Sequence, residues 1–453
     1  MAAEAAALAD RRAGVLLHPR ALPSGRLDAD VERWLELLQR GGFRAWQMLP
    51  MNIPDHTGSP YQSCSAFAAD PAWLAEDETE DGIEPEALAA YVERERDWLP
   101  DFALFRVIRT RLHHKPWTEW PEPLKRREPA ALDEVRHTAH AHIQEIIEQQ
   151  YRIDRRWQLV REEARARDIL LFGDLPLFVA HDSADVWAHP HLFLLDKAGN
   201  PRFVAGVPPD YFSETGQRWG NPQYDWEAMQ AEDFAWWTAR MRRQLDWFDL
   251  VRLDHFRGLQ AVWMIPAEAP TGAEGFWQEV PGAALLERLL QGFHQLPIVA
   301  ENLGIITPEV EALRTRFGLP GMAVLQFAFD AFEDNPHKPR NIREDTVVYT
   351  GTHDNDTTNG WYVHLDEGMK AEVRRQLGVD RIDDAAALLC RVALETRARL
   401  AILPLQDILG LGSEARYNTP GTSEGNWQWR MRWESLDEAR FLSLREVIRH
   451  VGR

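Results

Sequence analysis

Cysteine is scarce in this 453-residue chain, with only Cys64 and Cys390 present. Two cysteines cannot build a disulfide framework, and their separation is not that of a zinc site, so a reducing, cytoplasmic setting is expected. Positive charge is also in deficit. The 51 Lys and Arg face 71 Asp and Glu, leaving a net charge of −20, and only five of the basic residues are lysine. That balance argues against nucleic acid as the main partner, since phosphate binding wants a basic face. It argues equally against an anionic membrane surface. No apolar run reaches membrane-spanning length, and "MAAEAAALADRRAG" at the start lacks the basic head and apolar core of a signal peptide. Internal repeats and low-complexity linkers are missing too. The expectation is a soluble protein with no obligate protein partner and a neutral or cationic ligand.

What is present reads as an enzyme of ordinary composition, 45% apolar and 27% charged. Nineteen tryptophans stand out. Aromatic faces stack on the C–H faces of sugars but also fill cores, and core packing is the expected role for most of them. Short apolar runs ending in polar, Gly or Pro residues alternate with helical stretches, the pattern of β/α units around a parallel sheet. Eight such runs are visible: "GVLLHP" (14–19), "RAWQMLP" (44–50), "ILLFGDLPL" (169–177), "LVRLDHF" (250–256), "PIVAENLG" (297–304), "MAVLQFAF" (322–329), "TVVYTGTHD" (346–354) and "RLAILPLQD" (399–407). Eight units predict an α/β fold of the TIM (β/α)8 barrel type forming one catalytic domain over 1–453. Two insertions interrupt it. Residues 72–168 predict a helical subdomain, with helices at "ALAAYVERERDW" and "AHIQEIIEQQYRIDRRWQLVREEARA" around a proline-broken link, "WTEWPEPLKRREP". Residues 181–246 show few clear elements and carry a long irregular loop, "GVPPDYFSETGQRWGNPQYDW".

Barrel active sites lie at the C-terminal ends of the strands. There the third strand ends in Asp174, the fourth in Arg252 and Asp254, the fifth in Glu301 and Asn302, and the seventh in His353 and Asp354. Retaining glycoside chemistry needs one carboxylate to attack the anomeric carbon and one carboxyl to protonate the leaving oxygen. Arg252, two residues before Asp254, points to the same side of the strand and favours an ionised acid there. Glu301 follows the apolar run "PIVA", and burial suits a proton donor. Each motif alone has a plainer reading. Asp254 beside Arg252 fits a structural ion pair, Glu301 a helix-capping acid, and "THDNDT" an Asx-rich turn or a metal cluster. A metal-dependent hydrolase using Asp254, His255, His353 and Asp354 is a further alternative, as is a binding protein without catalysis.

"VRLDHFRG", "VAENLGIITPEVEALRTRFGLPGMAVLQFAF" and "YTGTHDNDT" resemble the signature segments of the 4-α-glucanotransferases, the amylomaltases or disproportionating enzymes of glycoside hydrolase family 77. "LLHPRALPSG", "SPYQSCSAFAADP", "GDLPLFVAHDSADVWAHP", "GVPPDYFSETGQRWGNPQYDW" and "NTPGTSEGNWQWR" match further family segments in the same order, from about residue 14 to the C-terminus. The resemblance implies a retaining transfer of glucan segments between α-1,4-glucans and maltooligosaccharides without metal or organic cofactor. By position it makes Asp254 the nucleophile, Glu301 the acid/base and Asp354 the transition-state stabiliser. It places Arg252 and His353 on the donor sugar, and Tyr61, Asp182, Trp219, Asp210, Gln217 and Asn418 on the glucan. Tyr211 and Phe212 fall in a loop that helps shield the site from water. A plain α-glucan hydrolase on the same barrel is the alternative.

The chain departs from the family pattern after "LLHPRALPS", where "GRLDADVERW" replaces a glycine-rich turn, and at His56-Thr57-Gly58, where Tyr-Gly-Asp is common. Asn302 stands for the acid of the family's "AEDLG". These changes bear on the acceptor side of the cleft and on chain-length preference.

Overall fold

The structure is a computed structural model and describes residues 8–75, 82–209 and 213–453. Twelve strands follow in chain order: β1 Arg12–Leu16, β2 Ala45–Gln47, β3 Leu170–Leu175, β4 Phe203–Val207, β5 Gln217–Pro222, β6 Leu250–Leu253, β7 Ala261–Pro266, β8 Phe276–Glu279, β9 Ile298–Ala300, β10 Gly321–Val324, β11 Thr346–Tyr349 and β12 Leu400–Pro404. Eight of them form one parallel sheet in the order β10-β11-β12-β1-β2-β3-β6-β9. The two ends of this sheet meet where the Ala300 N–H donates to the Pro320 carbonyl at 2.8 Å. The sheet is thus curled nearly shut, the (β/α)8 barrel that eight β/α units predict. Each predicted run overlaps its strand, although β1 begins two residues and β10 one residue before the predicted run, and the polar residues at its end form the loop beyond.

The strands are short and almost wholly buried, as expected of a parallel sheet covered on both faces. Helices coat the barrel for reasons visible locally. Ala29–Gly41 starts at Asp28, whose side chain accepts the Asp30 N–H, and stops at Gly42 with φ 79°. Its Val31, Trp34, Leu35 and Leu38 recur at helical spacing and are buried. On β3, Gly173 lets Phe248 lie against the strand; a Cβ there would be 2.1 Å from the phenyl ring. Twelve of the nineteen tryptophans are buried, so core filling is what most of them do.

Between β2 and β3 run helices Pro85–Arg94, Leu99–Arg111, Glu122–Lys125, Pro129–Thr138 and His140–Ala166. The proline-rich link is partly helical, because Pro123 and Pro129 occupy first turns, where a missing N–H costs nothing. Gln150, buried on the long helix, zips to the backbone of Ala69, accepting its N–H at 2.9 Å and donating to its carbonyl at 2.8 Å. That contact holds the loop after β2. Residues 181–246 are more regular than their sequence suggests. They include helices Ala184–Ala188, Trp226–Ala231 and Ala235–Trp247, and strands β4 and β5. β4 and β5 pair antiparallel with a register shift between Val204 and Gly206, and β7 and β8 extend the sheet in the order β5-β4-β7-β8. Glycine and proline within β5 hide this strand from a search for alternating apolar residues.

A buried ion cluster ties the helical segment to the barrel. Arg243 donates to Asp154 at 2.8 Å and lies 3.4 Å from Glu95, while Arg94 reaches Asp154 at 2.6 Å. Removing one member of a buried pair leaves an uncompensated charge at a cost of about 3–5 kcal/mol. Arg243→Met should lower unfolding free energy by about that much in urea titration; a change below about 1 kcal/mol would show that the cluster does not anchor the segment.

Candidate active site

The pairing of β3 with β6 puts Asp174 opposite Arg252, and that of β6 with β9 puts Leu253 opposite Ala300. Asp254 and Glu301 are therefore the next residues along two neighbouring strands. Arg252 sits at the floor of the barrel mouth with its side chain 6% exposed. It donates to both oxygens of Asp174, at 2.8 and 2.7 Å, and to Asp254 Oδ1 at 2.6 Å. Burial opposes its charge, but Asp174 and Asp254 hold the guanidinium protonated well above its ordinary value. Burial likewise pushes the Asp174 carboxyl up, against Arg252. The Asp174 side chain is fully covered, whereas that of Asp254 is 30% exposed. Asp254 is thus the acid of this triad that faces the opening.

Glu301 is placed by backbone alone. Its Oε2 accepts the His255 N–H at 2.8 Å and its Oε1 the Leu303 N–H at 2.8 Å. His255 itself adopts a left-handed conformation, φ 54°, as the chain turns away from the strand. Burial pushes the Glu301 carboxyl up to about 7, with Arg252 opposing and Asp254 assisting. The His255 ring is neutral, since burial brings it down to about 4. Trp219 from β5 meets that ring edge-on at 4.9 Å between centroids.

Asp354 lies across the mouth with a 44% exposed side chain. Asn418 Nδ2 donates to its Oδ1 at 2.7 Å, and Arg416 donates to its backbone carbonyl at 2.7 Å. Tyr61 gives its one hydroxyl proton to Asp174 Oδ2 at 2.8 Å. The 2.9 Å contact between Tyr61 Oη and His353 Nε2 must then be donated by the imidazole. This fixes the proton of His353 on Nε2, also 3.3 Å from Asp354 Oδ1. Burial lowers the basicity of His353, with Asp354 opposing. Trp427 stands beside both rings, 6.0 Å from Tyr61 and 6.1 Å from His353.

The structure thus brings together Asp254, Glu301, Asp354, Arg252, His353, Tyr61, Asn418 and Trp219. Gln217 joins them at one remove, as the acceptor of the Trp219 indole N–H at 3.0 Å. Asp182 is engaged elsewhere: it pairs with Arg109 at 2.7 Å and accepts the Trp117 N–H at 3.2 Å, at the seam with the helical segment. Asp210, Tyr211 and Phe212 lie outside the described residues. Asp174, noted in the sequence only as a strand-end acid without a role, belongs to the constellation, as do Arg416 and Trp427, which the sequence did not single out. Asp174 is detectable as a strand-end acid two residues past "LLF"; Arg416 and Trp427 carry no local signal. Arg257, three residues after Asp254, stacks on Trp277 at 3.7 Å, away from the acids. Among the described residues no three His, Cys, Asp or Glu are grouped to hold a metal ion.

The 4-alpha-glucanotransferase model of glycoside hydrolase family 77 matches residues 16–83 and 74–436. The chain belongs to this family. It is 44% identical to a 4-alpha-glucanotransferase of Thermus thermophilus, across 93% of this chain and 95% of that one. It is 40% identical to a chloroplastic/amyloplastic 4-alpha-glucanotransferase of Arabidopsis thaliana, across 93% and 81%. Among solved structures, amylomaltase from Streptococcus agalactiae in complex with acarbose superposes with a TM-score of 0.93 at 32% identity, across 98% of this chain and 99% of that one. The 4-alpha-glucanotransferase family assignment gives the site its substrate class, α-glucans.

A carboxyl raised to about 7 is protonated at pH 6 and ionised at pH 8. Infrared difference spectra should show a protonated-carboxyl band that fades with a midpoint near pH 7 and is missing in Glu301→Gln. A midpoint below pH 5 would contradict the environment described for Glu301.

Proposed function

We propose that the chain is a retaining 4-α-glucanotransferase that moves segments of α-1,4-glucan onto glucose or maltooligosaccharide acceptors through a covalent glycosyl-enzyme. The observation that carries this reading is the pair Asp254 and Glu301. They stand on neighbouring strands, about 4.8 Å apart as strands are, with Asp254 bound to the Arg252 guanidinium and Glu301 buried, its carboxyl raised to about 7. Retaining enzymes need their two carboxyls about 5–5.5 Å apart. Asp254 has Oδ1 committed to Arg252 and presents Oδ2 to the anomeric carbon. Glu301, held as an acid, protonates the departing glycosidic oxygen. It then takes the proton of the acceptor hydroxyl as that oxygen attacks the glycosyl–Asp254 ester. Asp354, anchored by Asn418 and His353, faces the positive charge that develops on the sugar ring. Tyr61 and His353 complete the wall that seats the donor sugar.

Transfer rather than hydrolysis requires that an ordered sugar hydroxyl outcompete water. Well-placed groups reach effective molarities of about 10⁵ M or more. Trp219, edge-on to the ring of His255, the residue after the nucleophile, is the side chain that would stack an acceptor glucose. Hydrolysis on the same barrel is the competing reading. The unpaired, buried Cys64 and Cys390 fit a cytoplasmic setting.

Maltotriose separates the two readings. The expected products are glucose with a ladder of longer maltooligosaccharides; glucose and maltose alone would mean hydrolysis. Asp254→Asn and Glu301→Gln should each lower the rate by about 10³-fold or more. Wild-type turnover in either variant would remove that residue from the mechanism. Trp219→Ala should raise the ratio of hydrolysis to transfer about tenfold, and an unchanged ratio would end its acceptor role.

A further inference from the structure

The loop 350–358 carries both His353 and Asp354. It leaves β11 at Tyr349 and enters a helix, Thr358–His364. Both of its ends return to one group. Asp407, 1% exposed in the short turn Leu405–Ile408 after β12, accepts the Thr350 hydroxyl at 2.5 Å. It also accepts the Thr358 N–H at 2.7 Å and the Thr358 hydroxyl at 2.6 Å. The Thr358 N–H is one of the first N–H groups of its helix, which have no partner within the helix. A single carboxylate therefore closes the loop across eight residues.

The other supports are weaker or act in the middle. Gln326, just past β10, donates to the Asp356 carbonyl at 2.9 Å and fits against Gly351, where a Cβ would lie 2.7 Å from its Nε2. Beneath the loop lies a cavity of about 30 Å³ lined in part by Leu16, His18, His353, Asp356, Asp407 and Tyr417. That space suits a water or two. Side-chain packing from below is thus incomplete, and the hydrogen bonds to Asp407 set the height of the loop. Asp407 itself bonds to threonines behind the loop, not to the acids of the mouth.

We propose that Asp407 is a positioning residue, the clasp that holds Asp354 and His353 at the distance from the donor sugar that the transition state requires. The proposal rests on the reading of Asp354 as transition-state stabiliser. A carboxylate that drifts by about 1 Å can cost about 100-fold in rate while the ground-state complex still forms.

Asp407→Asn, Thr350→Val and Thr358→Val in the full chain test it, with Asp354→Asn as the control. The readouts are kcat and KM for maltotriose disproportionation, and the inhibition constant of acarbose, whose bridging amine carries the positive charge that Asp354 would face. Asp407→Asn is expected to lose about 30- to 100-fold in kcat with KM within threefold. Its acarbose affinity should weaken in parallel with kcat/KM, and each threonine variant should show the same pattern, less strongly. The proposal is overturned if folded Asp407→Asn keeps kcat within threefold, or if the loss falls on KM with acarbose binding unchanged. If Asp407→Asn does not fold, the two threonine variants decide by the same criteria. Full turnover in Asp354→Asn would instead remove the assignment beneath the proposal, an outcome distinct from failure of the clasp.

Discussion

A guanidinium almost shut off from water organises this molecule. Arg252 lies in the throat of an apolar barrel, where an unpaired charge is costly, and three carboxylate oxygens from β3 and the end of β6 compensate it. The contact exists because the β3–β6 register sets Asp174 beside Arg252 and the strand period turns Asp254 to the same side. Stability and chemistry thus share one network. Asp174 neutralises the arginine from the closed side, which leaves Asp254 as the partner that looks outward. In the proposed mechanism, the Asp254 oxygen not held by Arg252 is the one that attacks.

Against this fixed charge, the second carboxyl is defined by contrast. Glu301 receives only neutral backbone N–H groups from His255 and Leu303. One strand spacing away from a carboxylate bound to arginine, it keeps its proton to about pH 7. Two acids on adjacent strands therefore sit in contrasting surroundings, Asp254 against a guanidinium and Glu301 against backbone N–H groups only, which is the division that the proposed glycosyl transfer uses. The third acid is set differently again. Asp354 rides on a loop, not a strand, and needs Asn418, Arg416 and His353 to orient it. Enzyme sites on barrels often combine rigid strand ends with loops of this kind, and the loop is where adjustment between relatives takes place.

Much of this was readable in the chain. All eight barrel strands show as apolar runs, because a parallel sheet buried on both faces needs little alternation. Asp254, Glu301 and Asp354 show as acids at the ends of those runs, and the segments around them resemble the family's signature segments. The antiparallel sheet did not show. β5 holds Gly220 and Pro222, and β8 is an exposed edge strand, so neither has the pattern of a half-buried strand. Partnerships across the fold were hidden for another reason. That Asp182 serves Arg109, or that Arg416 supports Asp354, depends on which loops meet in space, and no local spacing encodes it. The tryptophans illustrate the same limit, since Trp219 and Trp427 flank the mouth while twelve others are buried.

The most direct test of the account is to catch the glycosyl-enzyme. In Glu301→Gln, α-maltotriosyl fluoride can still load the nucleophile, because fluoride leaves without an acid, while transfer from the ester to an acceptor is slowed. Mass analysis of the quenched protein should then show one maltotriosyl unit on the peptide containing Asp254. No adduct, or an adduct on Asp174 or Asp354, would contradict the claim that the Arg252 network presents Asp254 as the nucleophile.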